Sequence, residues 1–402
     1  MKCKLYKQCG SCAYLDLDYK LQLEKKKNYV TDLFKKEKLN FVKVHDVLGA
    51  KDPFHYRNKI IIGFNQKGEP GLYEENSHRI IPYESCLLHD EVSDQVIQEL
   101  TRLFRKYRIS IYNEDKRKGF LRHVLIRRGV VTNQTMVVLV TTSLVFPGSK
   151  DFVRELIKAV PSVKTVVLNL NTRKTSIVLG NEEKVLYGKG FIEDTLCGLT
   201  FKISPKSFYQ INHDQCEVLY NKALDLVKLT KKDVVIDTYC GIGTIGMVAS
   251  KKVNQVLGVE LNKDAIRDAK VNARMNRISN IDFVQADATK FMVELAKENV
   301  EMDVLIMDPP RSGTTKEFIQ AVNKLKPKRI VYISCDPSTQ VRDLVQFKKI
   351  GYNFNEVFPV DLFPYTKHVE TVCLLSKLHE AKHHVNVKLD MDEMDLTAAE
   401  RR

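Results

Sequence analysis

No stretch of this 402-residue sequence approaches eighteen uninterrupted apolar residues, so no segment reads as a membrane-spanning helix. The start, Met1-Lys2-Cys3-Lys4, is polar and lacks the apolar core of a signal peptide, which makes the cytoplasm the expected location. Internal repeats and low-complexity linkers are missing as well. Cysteines number nine. In a cytosolic chain of this length they are expected as metal ligands, nucleophiles or core thiols rather than as disulfides. What remains is a soluble globular profile, 44% hydrophobic and 28% charged, in a chain too long for one ordinary core.

Acidic residues fall short of basic ones: 50 Asp and Glu face 64 Lys and Arg, a formal net charge of +14. Such a surplus suits a polyanionic partner, because each cation that neutralises a phosphate releases a counterion. The surplus is concentrated early. Residues 1–130 hold 26 Lys and Arg against 17 Asp and Glu, whereas the last twenty residues are acidic on balance.

Three textures follow one another along the chain. Residues 1–46 carry a cysteine cluster and a Lys-rich helical stretch, Tyr19 to Lys38, with apolar residues at Leu21, Leu23, Val30, Leu33 and Phe34. Residues 47–200 are β-rich. Short β-branched runs at 59–64, 136–140 and 175–179 are bounded by Gly or Asn, and a helix is expected near 93–107. Residues 201–379 alternate strand and helix. Strands are expected at 234–239, 256–261, 281–286, 304–307, 329–334, 355–361 and 369–378, the last two as an antiparallel hairpin. The early runs are almost wholly apolar, as a parallel sheet covered on both faces requires. The fold class is therefore α/β: a Rossmann-like, seven-stranded, mostly parallel sheet behind a β-rich domain. The tail, 380–402, has no core pattern and is expected to be partly disordered.

Chemistry gathers at the strand ends. The first strand runs into Asp237-Thr238-Tyr239-Cys240-Gly241-Ile242-Gly243-Thr244-Ile245-Gly246, where glycines permit a tight turn against a ligand. The second ends at Glu260, placed to bind two ribose hydroxyls. Those two features also fit a dinucleotide fold. The third strand ends at Gln285-Ala286-Asp287 and the fourth at Asp308-Pro309-Pro310-Arg311. Carboxylates there suit a cationic sulfonium cofactor and a base-binding pocket, needs that a nicotinamide-dependent oxidoreductase lacks.

Cys335, in Ser334-Cys335-Asp336-Pro337, follows the fifth strand at the same edge, and Glu370 opens the last strand after His368-Val369. Uracil methylation at carbon 5 would use both. A thiolate adds to C6, C5 gains the electron density to attack a methyl group, and a base then removes the C5 proton.

Together these segments resemble the RNA uracil-5-methyltransferase family that includes the TrmA and RumA enzymes. Phe208-Tyr209-Gln210-Ile211-Asn212, Asp237-x-Tyr239-Cys240-Gly241-x-Gly243, Gly258-Val259-Glu260, Asp308-Pro309-Pro310-Arg311-x-Gly313, Ser334-Cys335-Asp336-Pro337 and His368-Val369-Glu370 carry the likeness, in order. It implies S-adenosylmethionine contacts at Gln210, Tyr239, Glu260 and Asp308, a nucleophile at Cys335 and a base at Glu370. Cys3-x5-Cys9-x2-Cys12 with the remote Cys86 suits either zinc or an iron–sulfur cluster by spacing. The resemblance implies a [4Fe-4S] cluster there.

RNA is the expected partner. Tyr56-Arg57-Asn58-Lys59, Gly119-Phe120-Leu121-Arg122-His123 and Arg127-Arg128 mix cations with aromatic rings, a composition that grips unstacked RNA. Relatives often carry a basic β-barrel ahead of the cysteine cluster. Here the cluster begins at Cys3, which leaves RNA affinity to the remaining domains and favours 23S rRNA, the substrate of short members that keep the cluster. The competing readings are a tRNA uracil-5-methyltransferase and a non-catalytic iron–sulfur protein that binds RNA or senses redox state.

Overall fold

The computed structural model describes residues 3–377 apart from 76, 78 and 176. The expected tail, 380–402, lies outside the described residues. After the cysteine segment come α1 (Tyr19–Lys36) and β1 (Lys43–Val44). Next follow β2 (Lys59–Phe64), β3 (Pro70–Tyr73), β4 (Ile80–Pro82), α2 (Glu91–Lys106), β5 (Leu121–Gly129), β6 (Gln134–Thr141), α3 (Ser149–Ala159), β7 (Val163–Leu170) and β8 (Glu182–Tyr187). A hairpin of β9 (Ile192–Leu196) and β10 (Leu199–Ile203) leads into the second half. That half holds α4 (His213–Val227), β11 (Val234–Thr238), α5 (Thr244–Ser250), β12 (Gln255–Glu260), α6 (Lys263–Met275), β13 (Ile281–Gln285) and α7 (Ala288–Glu298). It continues through β14 (Val304–Met307), α8 (Lys316–Leu325), β15 (Arg329–Ser334), α9 (Pro337–Lys349), β16 (Tyr352–Asn353), β17 (Glu356–Val360) and β18 (Glu370–Lys377).

Two sheets organise the molecule. The smaller runs β4-β3-β2-β5-β6-β7-β8 and buries one face against α2 and α3 through residues such as Leu100, Phe104, Phe152 and Leu156. The larger runs β1-β17-β18-β15-β14-β11-β12-β13, with β16 beside β18, and counts nine strands among the described residues. Strands β13, β12, β11, β14 and β15 are parallel, and β18 runs against β15 and β17. The hairpin expected at the end of the chain is present. The sheet is wider than the seven strands expected, because β1 and β16 are two residues each and leave no periodicity to read. β1 pairs in parallel with β17, which stitches the first fifty residues to the edge of the large sheet.

Local chemistry explains where the helices begin. Asn212, Asn262, Asp287, Thr315 and Asp336 cap α4, α6, α7, α8 and α9, each side chain accepting from a first-turn backbone N–H. Pro337 follows Asp336 in the first turn of α9, where a missing N–H is harmless. Four of these caps follow strands of the large sheet, so those strands all deliver their ends to one edge.

One expected strand is absent. Of 175–179, the described residues are not in a strand. The Asn171 side-chain amide instead donates to the carbonyls of Ile177 and Val178, both at 2.7 Å, and Asn169 exchanges hydrogen bonds with Gly180. Side-chain amides satisfy the backbone that a ladder would have satisfied.

Candidate functional site

Strand order reverses beside β11: the chain proceeds outward through β12 and β13, then returns to the other flank of β11 as β14. Ligands of open α/β sheets bind outside the carboxyl ends of strands at such a reversal. A cavity of about 640 Å³ lies there, and Gln210, Tyr239, Glu260, Asp308, Cys335 and Glu370 all line it. Residues from six separate places in the sequence thus meet in one chamber.

The turn after β11 is shaped by backbone demands. Tyr239 (φ 64°), Gly241 (φ 56°) and Gly243 (φ 82°) all take left-handed conformations. For Tyr239, a bulky residue, that is strained, and such strain concentrates at functional turns. Its ring stacks on Phe318 with centroids 6.1 Å apart. At Gly243 the left-handed φ disfavours any side chain, and a Cβ there would also press on Met247 Cε at 2.7 Å and on the Phe283 ring at 2.8 Å. Glu260 accepts from the N–H of Gly241 (3.1 Å) and of Asn262 (2.8 Å), which fixes its carboxylate at the rim.

Cys335 and Glu370 are brought together by strand register. β15 and β18 are antiparallel, with Ser334 opposite Thr371. The next residue outward on each strand is Cys335 on one and Glu370 on the other. Beneath them, buried Gln340 donates to the Tyr332 carbonyl (3.0 Å) and accepts from the Thr371 hydroxyl (2.8 Å). The Asp336 N–H donates to Ser334 Oγ (3.1 Å), which in turn donates to the Asp336 carbonyl (2.9 Å), closing the turn around Cys335.

The chamber is electrically unusual. Burial pushes the Asp308 carboxyl up to about 7. Glu370 is buried and rises well above the ordinary carboxylate range through desolvation and then through Asp308, while Arg311 opposes the rise. Asp237, at 1% exposure, is raised by burial and then by Asp308, while the Gly246 backbone opposes the rise, and neither of its oxygens finds a side-chain partner. Cys335 is pushed up to about 11 by burial, Glu370 and Asp308, again against Arg311. Three carboxyl groups clustered away from water cost free energy that a bound cation would offset.

Arg311, His368 and Phe208 stand in motifs legible in the sequence, which gives them no role, and Leu261 stands in none; Arg311 and His368 lie at the mouth, and Phe208 and Leu261 are apolar side chains 66% and 64% exposed. Large exposed apolar groups beside a pocket are a signal that needs burial data, which a sequence does not carry.

The segments expected to hold RNA face inward. Tyr56, Asn58, Arg122, His123, Arg127 and Arg128 are all buried. Arg127 donates to the Ser207 carbonyl, Asn58 Nδ2 to the Gln210 carbonyl at 2.9 Å, and the Asn58 N–H to the Ile211 carbonyl at 2.9 Å. Arg128 pairs with Asp90 at 2.9 Å. Arg122 donates to the carbonyls of Asn171 and Arg173 and lies over the Tyr112 ring. Phosphates cannot reach these groups. Arg127 and Asn58 instead clamp residues 207–211, one wall of the chamber.

Cys3, Cys9, Cys12 and Cys86 line one small cavity. Among the described residues, no group of three or more His, Cys, Asp or Glu is arranged to hold a single metal ion. The segment is anchored on both sides. Arg57 donates to the Ser11 carbonyl (3.4 Å), and the N–H groups of Ala13 and Tyr14 donate to the Tyr365 carbonyl at 2.8 and 3.1 Å.

Residues 18–378 match the model of the tRNA (uracil-5-)-methyltransferase family. An uncharacterized RNA methyltransferase of Bacillus cereus is 42% identical over 94% of this chain and 83% of its own length. One from Caldanaerobacter subterraneus is 41% identical over 94% and 84%. Among solved structures, the Pyrococcus abyssi tRNA (uracil-54, C5)-methyltransferase in complex with S-adenosyl-L-homocysteine is similar with a TM-score of 0.74 and 28% identity, covering 89% of this chain and 84% of that one.

Proposed function

This chain belongs to the tRNA (uracil-5-)-methyltransferase family, and from that premise we propose that it methylates carbon 5 of a uridine in RNA through a covalent adduct at Cys335. The observation that carries the reading is the pairing of Cys335 with Glu370 at the mouth of a chamber lined with carboxyl groups and free of buried cations among the described residues.

S-adenosylmethionine, when bound, supplies an electrophilic methyl group on a positively charged sulfur. Asp308 gives the chamber the negative character that such a cation seeks, Glu260 would take the ribose hydroxyls, and Gln210 and Tyr239 are the further contacts proposed for the cofactor. The Cys335 sulfur forms a bond to uracil C6, and the electron pair of the C5–C6 double bond moves toward C5 and the O4 carbonyl. C5 takes the methyl group as the methyl–sulfur bond breaks, its electron pair remaining on the departing thioether sulfur. Glu370, as carboxylate, then accepts the C5 proton, the double bond re-forms, and the Cys335–C6 bond breaks to release the sulfur as thiolate. Arg311 is the neighbouring cation that draws both Cys335 and Glu370 toward their charged forms. The target base must leave its stack to reach Cys335, so an unpaired loop or bulge is the substrate form.

Cys3, Cys9, Cys12 and Cys86 are the residues that would hold a [4Fe-4S] cluster. What supports this reading is that all four thiols line one small cavity. Such a cluster would pin the N-terminal segment between the small sheet and the Tyr365 loop.

The cysteine set favours 23S rRNA as substrate. The likeness to the Pyrococcus abyssi enzyme carries the second reading, a tRNA. Incubation of unmodified 23S rRNA and unmodified tRNA with labelled S-adenosylmethionine, followed by mass mapping, decides between them. 5-Methyluridine in 23S rRNA supports the first, and its appearance in tRNA alone overturns that substrate while keeping the chemistry. No 5-methyluridine in either overturns the enzymatic reading.

A further inference from the structure

Cys335 borders two cavities. Besides the chamber, a cleft of about 330 Å³ opens on its other side, between α1 and the loop of residues 366–369. Arg311, Cys335 and His368 line both. The cleft's own walls are Lys25 and Tyr29 from α1, Tyr14 from the cysteine segment, and Lys367.

Helix geometry places Lys25 and Tyr29 on one face, four residues apart. The intervening Lys26 also lines the cleft, but its ammonium group is already engaged. It is buried, bonded to Asp361 Oδ1 at 2.5 Å and to the Phe363 carbonyl at 3.0 Å, and it fixes the helix against the loop that follows β17. Tyr29 is 45% exposed, and Lys25 and Lys367 are exposed. Among the described residues none of Lys25, Lys367 or Arg311 forms an ion pair, whereas the neighbouring Lys26 and Lys27 each pair with an aspartate. The lining carboxylate, Asp336, already accepts from the N–H (3.0 Å) and hydroxyl (2.6 Å) of Ser338. The His368 imidazole is held below its ordinary value by burial and then by Arg311, Lys26 and Arg57, which reports a positive field at the junction.

If a uridine sits with C6 at Cys335, its chain must leave on both sides, and one opening beside the nucleophile is this cleft. Unpaired ammonium groups with an exposed tyrosine ring form the combination that holds a single-stranded nucleotide: charge for the phosphate, a π-face for the base. The geometry points to this cleft as the subsite for the nucleotide flanking the target, with Lys25 and Lys367 on its phosphate and Tyr29 stacked on its base. The inference rests on the RNA reading above and adds the residues that position the strand.

The test uses the full chain and a fluorescein-labelled dodecauridylate as probe, with binding followed by anisotropy across a salt series. Lys25→Ala/Lys367→Ala is expected to make the slope of log affinity against log salt shallower by about 0.7, the loss of one neutralised phosphate on a single strand. Tyr29→Ala is expected to weaken binding roughly tenfold with the slope unchanged. Lys20→Ala/Lys36→Ala, which removes two exposed charges from α1 outside the cleft, should leave the slope as in the wild type. Equal slope changes from both lysine pairs, or none from the first, overturn the subsite. S-adenosylhomocysteine affinity unchanged in every variant shows that the fold is intact. Methyl transfer by the wild type is scored separately. If it fails on all RNA, the enzymatic reading falls. If it succeeds while the slopes do not change, only the subsite falls.

Discussion

The carboxyl edge of the large sheet and the strands of the small sheet answer the same question differently. At the first, residues singled out for chemistry converge: Cys335, Glu370, Asp308, Glu260, Tyr239 and Gln210 share one chamber. At the second, residues singled out for charge turn inward: Arg122, Arg127 and Arg128 are buried and bonded to carbonyls or to Asp90. A strand end in a parallel sheet has one place to point, whereas an arginine within a strand points to either face according to parity. Composition reveals that cations are present; the fold decides whom they meet.

The sharpest test of the contrast is Cys335→Ala. It is expected to lower methyl transfer by about a thousandfold or more, because it removes the covalent route. Glu370→Gln should instead accumulate a protein–RNA adduct visible by denaturing electrophoresis. Transfer at the wild-type rate in Cys335→Ala would remove the chamber's claim to the chemistry.

A second expectation concerns pH. Asp308, raised to about 7, binds a cation best when ionised, so S-adenosylmethionine affinity should climb by up to tenfold per pH unit as pH rises toward about 7, then level off. Asp308→Asn should flatten that climb in calorimetric titrations. The same shift has the opposite sign for the unliganded fold. Its folded pKa lies above the unfolded one, so the stability it contributes is present below the ordinary aspartate value and lost as pH rises through about 7.

The small sheet supplies the third and fourth tests. Arg122→Ala removes donors from two backbone carbonyls and a contact with Tyr112. It should cost about 2 kcal/mol of stability by denaturant titration, with no change in the salt slope of RNA binding. Arg127→Met keeps volume but loses the bond to Ser207. It is expected to weaken S-adenosylhomocysteine binding by about tenfold, through the wall at Gln210, again without altering the salt slope. A shallower slope in either variant would return these arginines to the RNA and erase the contrast.

How much was legible follows the same division. Strands at 304–307 and 329–334 match the apolar runs residue for residue, since a strand buried on both faces has little else it can be. The run 175–179 has the same β-branched look, but its carbonyls at Ile177 and Val178 go to Asn171, a tertiary override of propensity. β1 could not be read from two residues, and its pairing with β17 changes the layout: the N-terminal segment is part of the large sheet. The four cysteines were readable as a set by spacing, and the structure brings them to one cavity. The roles of Arg311 and His368 and the cleft beside them were not readable, because they are defined by what surrounds them.

That interlocking of distant segments has a consequence in time. Tyr19 bonds Asp361 at 2.8 Å across 342 positions, Gln22 receives the N–H of Tyr365, and Lys26 reaches Asp361 across 335. Contacts of such separation form late, after the local βα units have settled, since closing long loops is entropically slow. On the ribosome, the strand bearing Glu370 emerges when the earlier parallel strands are already free to pair. A nascent chain is therefore expected to pass through a stage with its parallel strands paired and Glu370 not yet opposite Cys335, and to finish in the closing step that joins its first fifty residues to β17.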